Sequence, residues 1–476
     1  MPTPSPLAKR VILFIGDTLA VVVGMAAALF IRHGGWPEET LLELYAIATP
    51  FLVLLWVFGL LTFGLYDVAL AKNDRRFFER LARAVAFNGL VAFLIFHLVS
   101  EFRLTPRVTM AIIFAATSGL LFSWRTLANA VLARTAKDRI LFFGLSEEVY
   151  ALVDHLRANP QLGYEAALGI PTAAGTNHGA GGPSRLSLRP LPADGLVSLI
   201  RQEGIHTIVT LASPTTDMAS LKILFDAMPL GVTVVELPRF SELILGKIPT
   251  SLIGEAWFLE NLVGSRRPHY EFLKRISDLT AAVLVSAVVL LIFPFVAAAI
   301  VLSTPGDILH YKNRRAHTGD GMVFFRQKRV GKHGLPFGFI KFRSQILGAE
   351  KLGWEKGAGP DPRAYPVGTF LRKTYLDELP QVWNVIKGEM SFVGPRPERP
   401  EFVRVLEREI PFYRIRELVL PGITGWAQLN MQNDASVSDA PEKLCYDLYY
   451  LKNRSLFLDA VILAKTALRL LQRSGR

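Results

Sequence analysis

Two adjacent acids, Asp377 and Glu378, stand in LDELPQVWNVIKG within a C-terminal region dense with cations. Lys341 and Arg343 occupy KFRS, Arg372 precedes the acids by five residues, and Arg396 sits between prolines in GPRPE. Carboxylates beside guanidinium and ammonium groups suit a phosphate-bearing ligand, because an arginine fixed by flanking prolines offers a rigid fork for phosphate oxygens. A bland account stands beside this one. Asp377 could cap a helix, Glu378 could complement its dipole, and each cation could be a surface or lipid-facing charge.

The element that presents the acids is readable from spacing. Leu379, Val382, Trp383 and Ile386 recur at helical intervals and Gly388 supplies a stop, so a short amphipathic helix is predicted, with Pro380 in its first turn. At that N-terminus the backbone N–H groups and dipole are expected to lower carboxylate pKa values. Upstream, residues 279–302 form an apolar run of spanning length with Lys274 and Arg275 before it and Lys312, Arg314 and Arg315 after it. Basic residues on both sides give no preferred crossing direction, and Pro294 inside the run predicts a bend. A helix that enters and leaves on one side and a proline-kinked spanning helix both satisfy these facts.

The chain has 476 residues, 51% apolar and 20% charged, with a mean hydropathy of +0.31, which points to a membrane protein. Cys445 is the sole cysteine, which excludes intrachain disulfides and cysteine-based zinc sites. Of the net charge of +12, residues 270–476 carry +10, from 30 basic and 20 acidic side chains. Anionic headgroups or phosphate substrates suit such a balance. Nucleic acid is not expected, since no groove-reading motif accompanies the charge.

Four spans are expected near 11–31, 43–65, 84–100 and 108–124. Five basic residues within 66–83 place both ends of this bundle in the cytoplasm by the positive-inside rule. Asp17 in the first span marks either an ion path or an acid that finds a polar neighbour. From 137 to 265, the runs 139–144, 206–212 and 232–240 alternate with helix-like stretches at 147–157 and 217–228, predicting a parallel α/β domain. Its dinucleotide fingerprint is broken: Gly144 is followed by Ser146 and Val149 where further glycines belong, and Glu147 and Glu148 would repel a pyrophosphate. Residues 171–195 are read as a loop. Tyr270 and Lys274 have the spacing of a dehydratase or epimerase pair, but no intact nucleotide-binding unit precedes them.

Residues 270–476 resemble the bacterial sugar transferase family, the polyprenyl glycosylphosphotransferases or monotopic phosphoglycosyl transferases. The likeness is carried in order by QKRVG, KFRS, LDELPQVWN, GEMS, VGPRPERPEF, PGITGWAQ and DLYYLKN. The four-span bundle and degenerate Rossmann-like domain resemble the long form of the family. The resemblance implies a multi-pass protein of the bacterial inner membrane: bundle 1–136, Rossmann-like domain 137–265, and cytoplasm-facing α/β catalytic domain 266–476. It makes 279–302 a re-entrant helix broken at Pro294. It implies transfer of a sugar 1-phosphate from a nucleoside diphosphate sugar, a UDP-hexose, to undecaprenyl phosphate, beginning surface polysaccharide synthesis. Asp377 is then the nucleophile, Glu378 with Asp377 holds Mg²⁺, and Lys341, Arg343 and Arg396 contact the diphosphate or nucleotide; Arg372 is a further candidate contact from its charge near the acids. A homodimer is implied as well. Tyr375, where the family commonly has a small hydroxyl, and Gln345, where KFRSM is common, depart from its pattern.

Overall fold

The computed structural model describes residues 6–98, 107–134, 137–171, 186–191, 195–211, 218–262, 267–304, 321–349, 363–431 and 437–471. The chain forms two compact units, Met1–Phe240 and Ser241–Arg476.

The first unit opens with helices α1 (Pro6–His33), α2 (Glu39–Thr62), α3 (Arg75–Leu98) and α4 (Arg107–Arg134). Among the described residues, α1 over Ala8–His33, α4 over Val108–Leu132 and, in the second unit, the helix Pro268–Ser303 are long and apolar enough to cross a membrane. Helix α2 carries an apolar stretch over Ala48–Thr62, and α3 begins with Arg75, Arg76, Glu79, Arg80 and Arg83. Of the four expected spans, the first and last coincide with α1 and α4, and the second and third fall on α2 and α3. Where α1 meets α4 the backbones approach closely: a Cβ at Gly24 would lie 2.7 Å from Thr117 Cα. Small residues permit such contact between apolar helices.

Asp17 finds its polar neighbour in Arg125, a residue just beyond the expected end of the fourth span. Arg125 Nε and Nη2 donate to the two oxygens of Asp17 at 2.8 and 2.5 Å, Nη1 donates to Leu65 O at 2.7 Å, and both side chains are 0% exposed. Of the two readings of Asp17, the paired acid is the one the geometry matches.

Strands β1 (Asp138–Phe143), β2 (Tyr164–Ile170), β3 (Ser187–Leu188), β4 (Thr207–Thr210) and β5 (Thr233–Glu236) form a parallel sheet in the order β3-β2-β1-β4-β5. Helices α5 (Glu147–Ala158), α6 (Gly195–Glu203) and α7 (Met218–Ala227) connect them. Leu141, Phe143, Leu168, Ile170 and Ile208 form the core with Leu196, Leu199 and Leu224. Three of the strands coincide with the predicted apolar runs; β2 and the edge strand β3 were not legible. Ser146 caps α5, its Oγ accepting from Val149 N at 3.4 Å, so the helix start is met by the chain itself. Most of the loop read at 171–195 lies outside the described residues.

This sheet is tied to the helices of its own unit by two lysines. Lys9 Nζ donates to Gln161 O at 3.3 Å and Leu162 O at 2.8 Å, and Lys72 Nζ donates to Ala158 O at 2.6 Å. The start of α1 and the α2–α3 connection thus meet the same carbonyl-rich end of α5.

The division between the units falls within α8 (Leu237–Leu245). Residues 241–265, assigned by composition to the middle domain, belong to the second unit. Ile248, Ile253 and Phe258, the last on α9 (Glu255–Asn261), are buried with Val403, Leu406, Leu444 and Leu448. The sequence offers no composition shift at 240, which is why the boundary was drawn later.

Helix α10 (Pro268–Ser303) follows and is the longest in the chain's described residues; its helical geometry runs through Pro294 without the expected break. Proline removes one backbone hydrogen bond, and the remaining ladder carries the helix past it. One face, with Asp278, Ala282, Ser286, Val289 and Ile300, is buried against the second unit. The other leaves Val283, Leu284, Leu291, Phe295 and Leu302 exposed. The hairpin β6 (Phe324–Val330) and β7 (Pro336–Phe342) pairs Phe325 with Lys341. Helices α11 (Pro366–Lys373) and α12 (Val382–Lys387) follow, and Val382 and Val385 pack with Phe337, Phe339, Ala282 and Val289. Strands β8 (Ser391–Val393) and β9 (Gly422–Thr424) pair in parallel.

Candidate active site

Asp377 and Glu378 lie on a 3₁₀ turn, Leu376–Gln381, that runs directly into α12. The predicted amphipathic helix is thus shorter and begins more tightly wound. Chain entry into the turn is made by Tyr375 at φ +57°, a left-handed conformation that costs a side-chain-bearing residue about 1–2 kcal/mol. This kink lets α11 end and the acids turn inward, with Glu378 N donating to Tyr375 O at 3.1 Å. The next stop is cheaper, because Gly388 adopts φ +81° after α12.

Four of the charges singled out in the sequence converge on Asp377. Its carboxyl, 6% exposed, is pushed up to about 6, first by burial and then by the neighbouring charge of Glu378; Lys341, Arg372 and Arg396 act in the opposite direction. The expectation of a lowered pKa is therefore overturned. A six-residue 3₁₀ turn has little aligned dipole, and burial beside a second carboxylate outweighs it. At a value near 6 the group is still roughly nine-tenths ionised at pH 7.

Glu378 is held by Arg396, whose Nη2 donates to Oε1 at 3.0 Å. Lys341 extends from β7 with its ammonium 5.1 Å from the Phe325 ring centre. Burial pulls that ammonium below the ordinary lysine range, while Asp377 and Glu378 pull it back up. Arg372 comes from the last turn of α11. Arg343 is placed differently: it is buried, its Nη2 donates to Thr304 Oγ1 at 2.6 Å, its guanidinium lies over Tyr365, and Tyr365 OH donates to its carbonyl. Those contacts pin the end of β7 to the C-terminal end of α10.

The segment Pro395–Glu398 that delivers Arg396 is gripped at each carbonyl. Pro395 O accepts from Gly422 N at 2.9 Å, Arg396 O from Arg416 Nη2 at 2.9 Å, Pro397 O from Arg329 Nη1 at 3.0 Å, and Glu398 O from Val330 N at 2.9 Å. Arg416 also donates to Asp447 at 3.0 Å and to Tyr413 OH at 2.8 Å, and Lys443 donates to Glu398 Oε1 at 2.6 Å. Although burial pushes the Glu398 carboxyl up, Lys443 and Arg416 hold it below the usual carboxylate range. Arg329, Glu398, Arg416, Lys443 and Asp447 were not singled out as site residues, although all but Arg416 lie in or beside quoted motifs. Nothing local marks Arg416, whose partner Asp447 is 31 residues away.

Comparison with known proteins gives this arrangement a family. The profile of the bacterial sugar transferase family, described as "Bacterial sugar transferase", matches residues 314–473. The UDP-N-acetylgalactosamine-undecaprenyl-phosphate N-acetylgalactosaminephosphotransferase of Aeromonas hydrophila is 38% identical over 237 residues, 49% of this chain and 51% of that protein. The UDP-glucose:undecaprenyl-phosphate glucose-1-phosphate transferase of Xanthomonas campestris is 41% identical over 154 residues, 32% of each chain. The uncharacterized sugar transferase EpsL of Bacillus subtilis is 36% identical over 210 residues, 43% of this chain and 89% of that protein. The match thus spans about half of the Aeromonas relative and about a third of the Xanthomonas one, but nearly all of the Bacillus one. With nine-tenths of the Bacillus relative matched at 36% identity, and the family profile matching through the region that holds the acid pair, the chain belongs to the bacterial sugar transferase family.

Proposed function

We propose that the chain transfers a sugar 1-phosphate from a nucleoside diphosphate sugar, a UDP-hexose, to undecaprenyl phosphate, releasing nucleoside monophosphate and initiating surface polysaccharide synthesis. The observation that carries this reading is the Asp377 carboxyl: buried, raised to about 6 and flanked by Lys341, Arg372 and Arg396. A carboxylate of that basicity is a better nucleophile than an ordinary one and remains mostly ionised at neutral pH. The surrounding cations offset the repulsion an anionic diphosphate would meet.

In the first step an Asp377 oxygen bonds to the phosphorus bearing the sugar, and the bond to the bridging oxygen breaks, so that nucleoside monophosphate leaves. In the second, a phosphate oxygen of the lipid bonds to the same phosphorus and Asp377 leaves as carboxylate. Arg396 holds Glu378, and Lys341 and Arg372 face the charge that develops on the phosphoryl oxygens. Two adjacent carboxylates fit Mg²⁺, which takes one or two protein carboxylates and fills its remaining positions with phosphate and water; no cluster of three acid, histidine or cysteine ligands lies among the described residues. When bound by Asp377 and Glu378, the ion would supply neutralisation of the diphosphate.

Contacts at the two ends of α10 support the membrane placement in this reading. Arg275, near the start of α10, donates to the carbonyls of Val385 and Ile386 at 2.7 and 2.9 Å, and Ile300, near its end, is buried with Phe342, Tyr365 and Leu371. These anchors are about 37 Å apart along the helix. One polar domain held over that length supports an α10 that immerses only its apolar face from one side, rather than one that crosses. With α1–α4 as four spans, both units then face the cytoplasm at the inner membrane. Cysteine labelling in a Cys445-free background tests this. Cytoplasmic reactivity is expected at 267–275 and at 305–315, the latter lying outside the described residues, and periplasmic reactivity there would sink it. Assembly as a homodimer rests on the family resemblance.

Mass spectrometry tests the chemistry. Protein incubated with a panel of UDP-sugars and no lipid acceptor is expected to carry a sugar phosphate on the peptide containing Asp377, and a reproducible adduct elsewhere would refute the assignment.

A further inference from the structure

We propose that Arg416, with Asp447, is a positioning pair for the transfer reaction: it fixes the main chain of Arg396 so that the Arg396 guanidinium meets Glu378. This rests on the transferase reading and adds residues that reading does not need. Arg416 is 6% exposed and reaches three partners at once, Asp447, the Tyr413 hydroxyl and the Arg396 carbonyl. Only a planar guanidinium can serve all three; a lysine ammonium carries the charge without the fork.

The contact on Arg396 matters because of what surrounds it. Pro395 and Pro397 flank Arg396 and have no N–H, so the segment can be gripped from outside chiefly through its carbonyls. Arg416 supplies the grip at the residue whose side chain touches the acid pair. Asp447 matches the charge of Arg416, and Glu398 beside it is paired with Lys443 and approached by Arg329, so Arg416 is not required to balance a catalytic charge. Its route to the reaction runs through the carbonyl of Arg396 and the 3.0 Å bond from Arg396 to Glu378.

The test is a mutant cycle in the full chain, reconstituted in lipid, with nucleoside monophosphate release as the assay and thermal melting as the fold control. Arg416→Lys keeps the charge and loses the fork. The double variant Arg416→Met with Asp447→Leu removes both charges, so no unpaired ion is left buried and the fold is protected. Each is made with Arg396 intact and with Arg396→Ala. With Arg396 present, kcat is expected to fall on the order of 10²-fold, the penalty of a misplaced reacting group. With Arg396→Ala, the further loss should shrink to less than about twofold, because the residue acted upon is gone. Equal losses in both backgrounds, wild-type kcat in the charge-free variant, or failure of both variants to fold would overturn the proposal. A wild-type chain that releases no nucleoside monophosphate from any donor would instead overturn the transferase reading on which it stands.

Discussion

Asp17 in the first unit and Asp377 in the second are both buried, and the two are treated oppositely. Asp17 has both oxygens bound by one guanidinium and is fully enclosed. Asp377 is nearly as buried, yet its immediate neighbour is another carboxylate and its cations act by proximity; no hydrogen bond ties it down among the described residues. A buried charge whose bonding capacity is used up holds helices together. One left partly uncompensated has something to gain from a ligand, which is what a reactive site requires.

The contrast can be broken most severely by removing a unit. A chain beginning at Ser241 is expected to keep transferase activity in lipid, whereas one beginning at Arg266 should lose it entirely, because Ile248, Ile253 and Phe258 leave the core that includes Val403 and Leu448. Activity in the shorter chain would show that this packing is dispensable. Next in size is Asp377→Asn, which keeps the shape and removes the nucleophile; turnover should drop on the order of 10³-fold or more with no loss of stability. Arg125→Met makes the complementary point. It strands Asp17 in the interior and should cost about 3–5 kcal/mol of stability, while Arg125→Met with Asp17→Leu recovers most of it. If the single variant melts like wild type, the ion pair is not what closes the helices.

The smallest effect concerns Asp377 itself. Its pKa is raised on folding, from 3.8 to about 6, so ionising it favours the unfolded chain. Stability from this group is fully present below about pH 4 and is lost as pH rises through 6. Asp377→Asn should therefore stabilise the ligand-free protein at pH 8 by up to ~3 kcal/mol and have little effect at pH 4. Equal melting shifts at both pH values would contradict the raised pKa. Activity should move the other way, falling as pH drops through about 6 and the nucleophile is protonated.

What the sequence made legible was local. The acid pair stood out because it stands at the start of a helical period that Gly388 ends, with cations in the neighbouring motifs, and β1, β4 and β5 because short apolar runs alternate with helical periods. The energetic sense of the pair was not legible: proximity to a helix start suggested a lowered carboxyl pKa, and only the packing reveals that burial beside Glu378 prevails. Partners far along the chain were equally hidden. Arg125 sits 108 residues from Asp17, and no periodicity links them. The unit boundary at 240 was missed for the same reason, since residues 241–265 join a core made of helices that begin beyond residue 400.

The lysine clamps on the end of α5 impose an order on biogenesis. Lys9 leaves the ribosome 152 residues before Gln161, whose carbonyl it must find, an interval of roughly 10–30 s at the usual rates of synthesis. Until then the ammonium has to be solvated by other groups, because burying it unpaired is costly. The first helix is thus made early, and its tie to the α/β domain is completed only after the chain past α5 has been made.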